Sequence, residues 1–485
     1  MNIRPLLIMI AAVVLWSPPP PDAYADCIAP GDPTPEIPID ACIAETDGDA
    51  DWRFLALHTL PDTFDGSTTP PCPSITGWAG VRLFDTGDDP APVLLPYCRY
   101  TAVGEASSPA ALFANVCTGS SDDPPGCFDE VQAERLVVTG QAGPGTTESI
   151  LWQDFQQQFL EQSGAPGPLV SGTTNVRLAV VDTEPSGPGQ ELDGPGIADH
   201  GFGLMNMARD MVCNDTGPCD IQLASHIALP LQRCSNLPGA SCPCSAPEPA
   251  RTGFCTTPLA GGHLGSQGDV AAGVFNAMRA FETGGPARLV INLSLGWDPR
   301  YGGTAPLATA PLGVRAVRDA LQYASCRGAL VVAAAGNRVT GPESTTGPLM
   351  PGAWEGIAAP DQTECDALLG DIPFDPSLFA NTGGYRPLLY AAGSVDERSE
   401  QQRVRTLGEP PLTAFGDHGI GDWIDGGVQT PTGFLTGTSV GSLVVATSAA
   451  AAWHFRPNAP AYEIMAAVYA SGINLQRQAQ FCQEE

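Results

Sequence analysis

The chain has 485 residues, 43% of them apolar, which is enough to bury a large core in one or two domains. Acidic residues number 53 against 22 basic ones, and every basic residue is arginine, so the net charge of −31 comes from missing cations. Such a balance argues against nucleic acid and anionic membranes as partners.

Residues 1–25 read as a secretory signal. Arg4 precedes an apolar run from Leu6 to Trp16, and Ala23-Tyr24-Ala25 offers small residues for cleavage. The run is too short to span a bilayer, so no membrane anchor is expected. Export turns the 15 cysteines into a disulfide system. Cys27, Cys42, Cys72, Cys98, Cys117 and Cys127 form one group, and Cys213, Cys219, Cys234, Cys242, Cys244 and Cys255 a second. Cys326, Cys365 and Cys482 follow singly. Cys242-Pro-Cys244 has no histidine at metal-ligand spacing, so pairing is favoured over zinc.

Residues 26–147 are rich in Pro, Gly, Asp and Cys, with short strand-like pieces at Gly80–Phe84 and Arg135–Val138. They predict a small, disulfide-held β-rich region, and Gly140 to Gly145 a linker. After it, Trp152, Phe155 and Phe159 recur at helical spacing until Gly164 and Pro166. Strands then alternate with helices. Val176–Val181 is a β-branched run ending at Asp182, and Leu204, Met207, Ala208 and Met211 mark a helix face. Strands are expected at Ile221–Ala228, Leu289–Leu293 and Ala329–Ala334, and helices near Asp269–Phe281, Val314–Ala324 and after Ser439. Apolar strands separated by helices imply a parallel sheet covered on both faces.

The stretch Gly437-Thr-Ser-Val-Gly441 fits the G-x-S-x-G nucleophile elbow of esterases. That fold needs an acid and then a histidine after the serine. Downstream of Ser439 there is no aspartate, and Glu463 follows the single histidine, His454. The esterase order fails. Upstream, Asp182 ends a strand, His200 opens a helix, and Asn337 ends the strand LVVAAAGN. The order Asp, His, Asn, Ser resembles the subtilisin-like serine proteases. The pieces that carry the resemblance are VRLAVVDT, DHG, VINLSLG, VVAAAGN and TGTSVGSLVVATSAAAA, spanning about 149 to 475.

The resemblance implies a three-layer α/β/α catalytic domain with a mostly parallel sheet, at 148–475, and a tail at 476–485. Asp182 would orient His200, His200 would act as base and then acid, and Ser439 would attack. Asn337 and the Ser439 N–H would stabilise the oxyanion. Ser294, Leu295 and Gly296 would form the cleft strand, its glycine leaving room for a substrate side chain, with Ala334, Ala335 and Gly336 on the opposite wall. The physics stands beside the name. A serine hydroxyl needs an imidazole to take its proton, and the imidazole needs a carboxylate to fix its tautomer. An extended peptide can add to an exposed strand edge.

Several positions depart from the family pattern. Phe202 and Gly203 replace the usual threonine and histidine, Glu184 replaces a glycine, and Leu443 replaces a proline. These bear on activity more than on fold, so a catalytically inactive, peptide-binding relative is the rival. His226 is expected to be structural, and His263, in a glycine-rich loop, is the alternative base. The Cys213–Cys255 and Ile357–Pro387 stretches read as insertions. Polypeptide substrates, a monomer, no required cofactor and room for structural calcium follow from the resemblance. The N-terminal region is either a pro-segment or an accessory domain.

Overall fold

A computed structural model describes residues 53–58, 71–75, 78–84, 91–102, 130–133, 136–139, 175–183, 199–213, 221–233, 254–256, 264–297, 302–304, 309–337, 348–374, 386–395, 412–416, 422–425, 428–431 and 435–470, with Cys219, Pro299, Pro306 and Gly419. The expected signal, the 152–159 helix, His263, Glu184, the Cys242–Cys244 pair and the tail lie outside the described residues.

The N-terminal strands are β1 (Arg53–Leu57), β2 (Trp78–Arg82), β3 (Tyr97–Ala102) and β4 (Glu130–Ala133). They form an antiparallel sheet in the order β2-β3-β1-β4, with Cys72 bonded to Cys98. Strand β5 (Leu136–Thr139) leaves that sheet altogether. The chain continues through β6 (Val176–Asp182), α1 (Asp199–Val212), β7 (Ile221–Ile227), β8 (Leu231–Arg233), β9 (Phe254–Thr256), β10 (Leu264–Ser266) and α2 (Gln267–Gly284). Then come β11 (Arg288–Leu293), β12 (Leu295–Gly296), α3 (Leu312–Cys326), β13 (Leu330–Ala334), α4 (Gln362–Leu369), β14 (Tyr390–Val395) and β15 (Leu412–Phe415). A hairpin, β16 (Asp422–Asp425) and β17 (Val428–Pro431), precedes α5 (Thr438–Phe455).

Six strands make the central sheet, in the order β15-β14-β13-β11-β6-β7, and all five pairings are parallel. Alternate residues serve opposite faces, as the pleat dictates. Val176, Leu178, Val180, Val290 and Val332 join one core with α1 and α5. Ala179, Val181, Leu289, Ile291 and Val331 join the other with α2 and α3. Both faces are dry, and the strands therefore read as nearly unbroken apolar runs.

From β6 the chain moves to β7 on one side, then to β11 on the other. The order reverses between β6 and β11, the point at which open parallel sheets form a crevice at their carboxyl ends. A second, antiparallel sheet lies there, ordered β12-β5-β10-β8-β9. Its second strand, β5, comes from the N-terminal part and lies between β12 and β10. Val138 and Thr139 pair with Gly296 and Leu295 on one side, and Leu136 to Val138 pair with Ser266 to Leu264 on the other. The sequence suggested this strand but not its partner. Edges β10 and β12 each leave backbone groups unpaired, and β5 satisfies both at once.

The N-terminal sheet packs on α2 and α3. Leu55, Phe84, Leu94 and Tyr97 share a core with Phe275 and Tyr323, and the Phe84 ring meets Phe275 edge-on at 5.3 Å. Arg99 pairs with Asp269 at 2.9 Å and donates to Ser266 at 3.3 Å, the two residues that form the capping box of α2. Cys326–Cys365 ties the end of α3 to α4. The two cysteines that looked single in the sequence are therefore partners. Cys213–Cys219 closes the turn after α1.

The Tyr97 hydroxyl donates to Asp319 on α3 at 2.6 Å. Burial pushes the Asp319 carboxyl up to about 6, against the pull of Tyr97, Arg315 and Arg318. The unfolded chain releases this proton near 3.8 and the folded one holds it to about 6, so folding stability falls as pH rises through that window. Asp319→Asn keeps an acceptor for Tyr97 and has no proton to lose. Its stability relative to wild type should be greater at pH 7 than at pH 4 by about 1–3 kcal/mol, read from urea unfolding. An Asn-versus-Asp difference that does not change with pH would refute this account.

Candidate active site

Asp182 ends β6, fully buried at the crevice. Its Oδ1 accepts from the Thr183 N–H at 2.7 Å and lies 2.9 Å from Nδ1 of His200. His200 is the second residue of α1. The Gly201 N–H donates to the Thr183 hydroxyl at 2.8 Å, which fixes the helix start against the strand end. A neutral ring that donates from Nδ1 carries its lone pair on Nε2. That nitrogen is buried and has no hydrogen-bond partner. The pair can therefore accept a proton.

Ser439 is the second residue of α5, almost fully buried. Its hydroxyl donates to the Ser294 carbonyl at 3.2 Å, so the hydrogen bond to His200 is not made here. Catalytic hydrogen bonds often form only once substrate is bound. The Ser439 N–H, in the first helical turn, has no intrahelical acceptor. Ser294 follows β11, and its side chain faces inward rather than into the crevice. Its hydroxyl accepts from the Asn292 amide at 2.8 Å and lies 2.9 Å from the Ser439 carbonyl and 3.0 Å from the Ser442 hydroxyl. The expected cleft residue thus locks the first turn of α5 to the strand end. Asn292, Ser442 and Thr183 were missed as site residues, because nothing in a linear run shows which polar groups will meet.

Asn337 follows β13 and is 8% exposed. Its Oδ1 accepts from the Thr438 N–H at 2.9 Å and from the Thr438 hydroxyl at 3.2 Å. That hydroxyl in turn accepts from the Gly336 N–H at 3.1 Å. The amide nitrogen Nδ2 is buried and unpartnered. A fixed donor with no acceptor, held one residue from Ser439, can bind a developing oxyanion.

Leu295 and Gly296 form β12, and the 349–350 backbone links this region to the end of β13, Leu349 donating to the Ala335 carbonyl and Met350 pairing with Trp297. The β12 edge already holds an extended backbone, that of β5. Leu443 is buried within α5, where it packs as a core residue. His226 is buried in β7. Burial, then the Arg177 charge, lowers its pKa to about 4, so it is neutral at physiological pH.

No family model matches the chain, and no curated protein does. Among solved structures, one described as "S41 Psychrophilic Protease" is similar with a TM-score of 0.34 and 20% identity, over 63% of this chain and 86% of the other. Another, "Structure of Prenylagaramide maturation protease PagA", gives 0.34 and 16%, over 63% and 83%. Both are proteases by description, but likeness at that level decides nothing about activity here. Among the described residues, no helix is long and apolar enough to cross a membrane, and no cluster of His, Cys, Asp and Glu could hold a metal ion.

The two glycines of the GTSVG stretch have separate structural reasons. A Cβ on Gly441 would sit 2.3 Å from the Gly393 carbonyl, where α5 meets β14. Gly437 has φ of 137° and ψ of −170°, a region open essentially to glycine alone, and a Cβ there would lie 2.6 Å from Asn337 Nδ2. Gly437→Ala should therefore cost about 1–3 kcal/mol or more of stability in urea unfolding. Unchanged unfolding would mean the turn does not have this conformation.

Proposed function

We propose that the chain is a secreted serine endopeptidase of the subtilisin type. The supporting observation is His200, held by Asp182 through Nδ1 and left unpartnered at Nε2. Ser439 rotates away from the Ser294 carbonyl, gives its proton to Nε2 and attacks the peptide carbonyl carbon. The oxygen becomes an oxyanion that accepts from Asn337 Nδ2 and the Ser439 N–H. His200 then passes the proton to the leaving amine nitrogen, and the C–N bond breaks to leave an acyl-enzyme. Water, deprotonated by His200, releases the acid and restores Ser439. Asp182 keeps the ring in one tautomer throughout and stabilises its protonated form.

A second reading is a peptide-binding relative without turnover, favoured by the Ser439 hydroxyl pointing to Ser294 rather than to His200. Fluorophosphonate labelling with peptide mapping separates the two. Ser439 should be the tagged residue, and folded, correctly processed protein that takes no label would sink the peptidase. Asn337→Ala should then lower kcat by about 10²–10³-fold with KM nearly constant, the loss that accompanies one missing oxyanion donor. Turnover equal to wild type would remove that role.

Residues 26–140 act as an inhibitory pro-segment under this proposal. Strand β5 occupies the β12 edge that an extended substrate would use, and its docking sheet buries aromatic surface against α2 and α3. The pairing steps from Gly296 to Leu295 toward Ser294, whose carbonyl contacts Ser439, so β5 runs toward the nucleophile. Exported wild-type protein should acquire a new N-terminus just beyond Gly140, found by N-terminal sequencing, and Ser439→Ala protein should not. Labelled, fully active protein that keeps residues 26–140 covalently attached would make the region a permanent accessory domain.

A further inference from the structure

The peptidase proposal leaves open which residue carries the attacked carbonyl, and the crevice constrains it. Ser439 touches the Ser294 carbonyl, and Asn337 follows Gly336, so the residue under attack lies between Gly296 and Gly336. Two facing glycines normally leave space for a side chain. Here that space is filled. A Cβ on Gly336 would lie 2.4 Å from Cγ and 2.7 Å from Cδ1 of Leu349, and one on Gly296 would lie 3.0 Å from the Leu349 Cβ.

Leu349 is stitched in place from both sides. Its N–H donates to the Ala335 carbonyl at 2.9 Å. The next residue, Met350, donates to the Trp297 carbonyl at 2.9 Å and accepts from the Trp297 N–H at 2.8 Å. The segment bridges the two walls, so the Leu349 backbone and Cβ are fixed and only side-chain rotation can shift its Cγ and Cδ1. Leu349 itself is half-buried.

Resting on the peptidase proposal, the geometry points to a substrate class: peptides with glycine at the residue whose carbonyl is attacked, with Leu349 as the specificity-determining residue. A hydrogen fits beside Leu349; a methyl crowds it, and a larger side chain must displace it. The chain supplies one such sequence itself. The residue after β5 is Gly140, directly following Thr139, which pairs with Leu295.

The test uses the exported protein and fluorogenic peptides of sequence Leu-Val-Val-Thr-X, copied from β5, with X as Gly, Ala, Leu or Phe. Wild type should favour Gly over Phe in kcat/KM by about 10- to 200-fold, the range one misfitted apolar group produces. Leu349→Ala should raise the Phe-to-Gly ratio by about 10-fold or more. Equal rates for Gly and Phe with wild type, or a ratio unmoved by Leu349→Ala, would overturn the assignment while Ser439 labelling leaves the peptidase standing. If no peptide is cleaved and Ser439 takes no label, the peptidase fails, and binding decides the pocket separately. Wild-type protein cut by an added protease between residues 140 and 148 should bind the acid ending in Gly more tightly than the one ending in Phe, by calorimetry. Equal binding, or none, overturns the pocket as well.

Discussion

Helix α5 is buried on nearly every side, and the need to satisfy its first turn organises the site. A helix start leaves backbone N–H groups without partners, and inside a dry core no water can supply them. The protein answers with side chains from strand ends. Asn337 Oδ1 takes the Thr438 N–H, while the Ser294 hydroxyl from the β11 end, with Ser442 of α5 itself, donates to the Ser439 carbonyl and anchors the turn. The same bonds that make the helix tolerable fix the Ser439 backbone and hold the Asn337 amide with its nitrogen unspent. Structural satisfaction and chemical readiness come from one set of contacts.

The parallel sheet decides where this happens. With both faces covered by helices, the strands are mostly apolar along their length, and the polar side chains of the candidate site stand at their carboxyl ends. Asp182, Ser294 and Asn337 all lie at such ends, on or after β6, β11 and β13. The reversal of strand order between β6 and β11 opens the crevice among them. His200 and Ser439 enter from two helices of the same core, α1 and α5, so the layer that covers one face of the sheet also carries both side chains to the strand ends.

The N-terminal part is not an appendage to this core. It contributes Leu55, Phe84, Leu94 and Tyr97 to the cluster on α2 and α3 and sends β5 into the second sheet. Its affinity combines apolar burial, one ion pair at the α2 cap and backbone pairing along two edges. Docking by backbone hydrogen bonds tolerates many side chains, and the identity of what the crevice accepts is left to a single filled space. Leu349 occupies it.

The sequence by itself determined the alternation of apolar strands and helices, because burial on both faces demands continuous apolar runs. It also determined the order Asp182, His200, Asn337, Ser439, because each stands beside a strand end or helix start that local pattern reveals. That Gly296 leaves room for a side chain was implied by the family resemblance alone, since a glycine shows only the atom it lacks. Tertiary structure decided what fills the gap, that Ser294 faces inward, that Cys326 meets Cys365, and that β5 pairs with β10 and β12 rather than with its neighbours in the chain. Each of those is a contact between residues far apart in sequence, set by which unpaired edges and empty volumes remain once the core has packed. No linear pattern records that remainder.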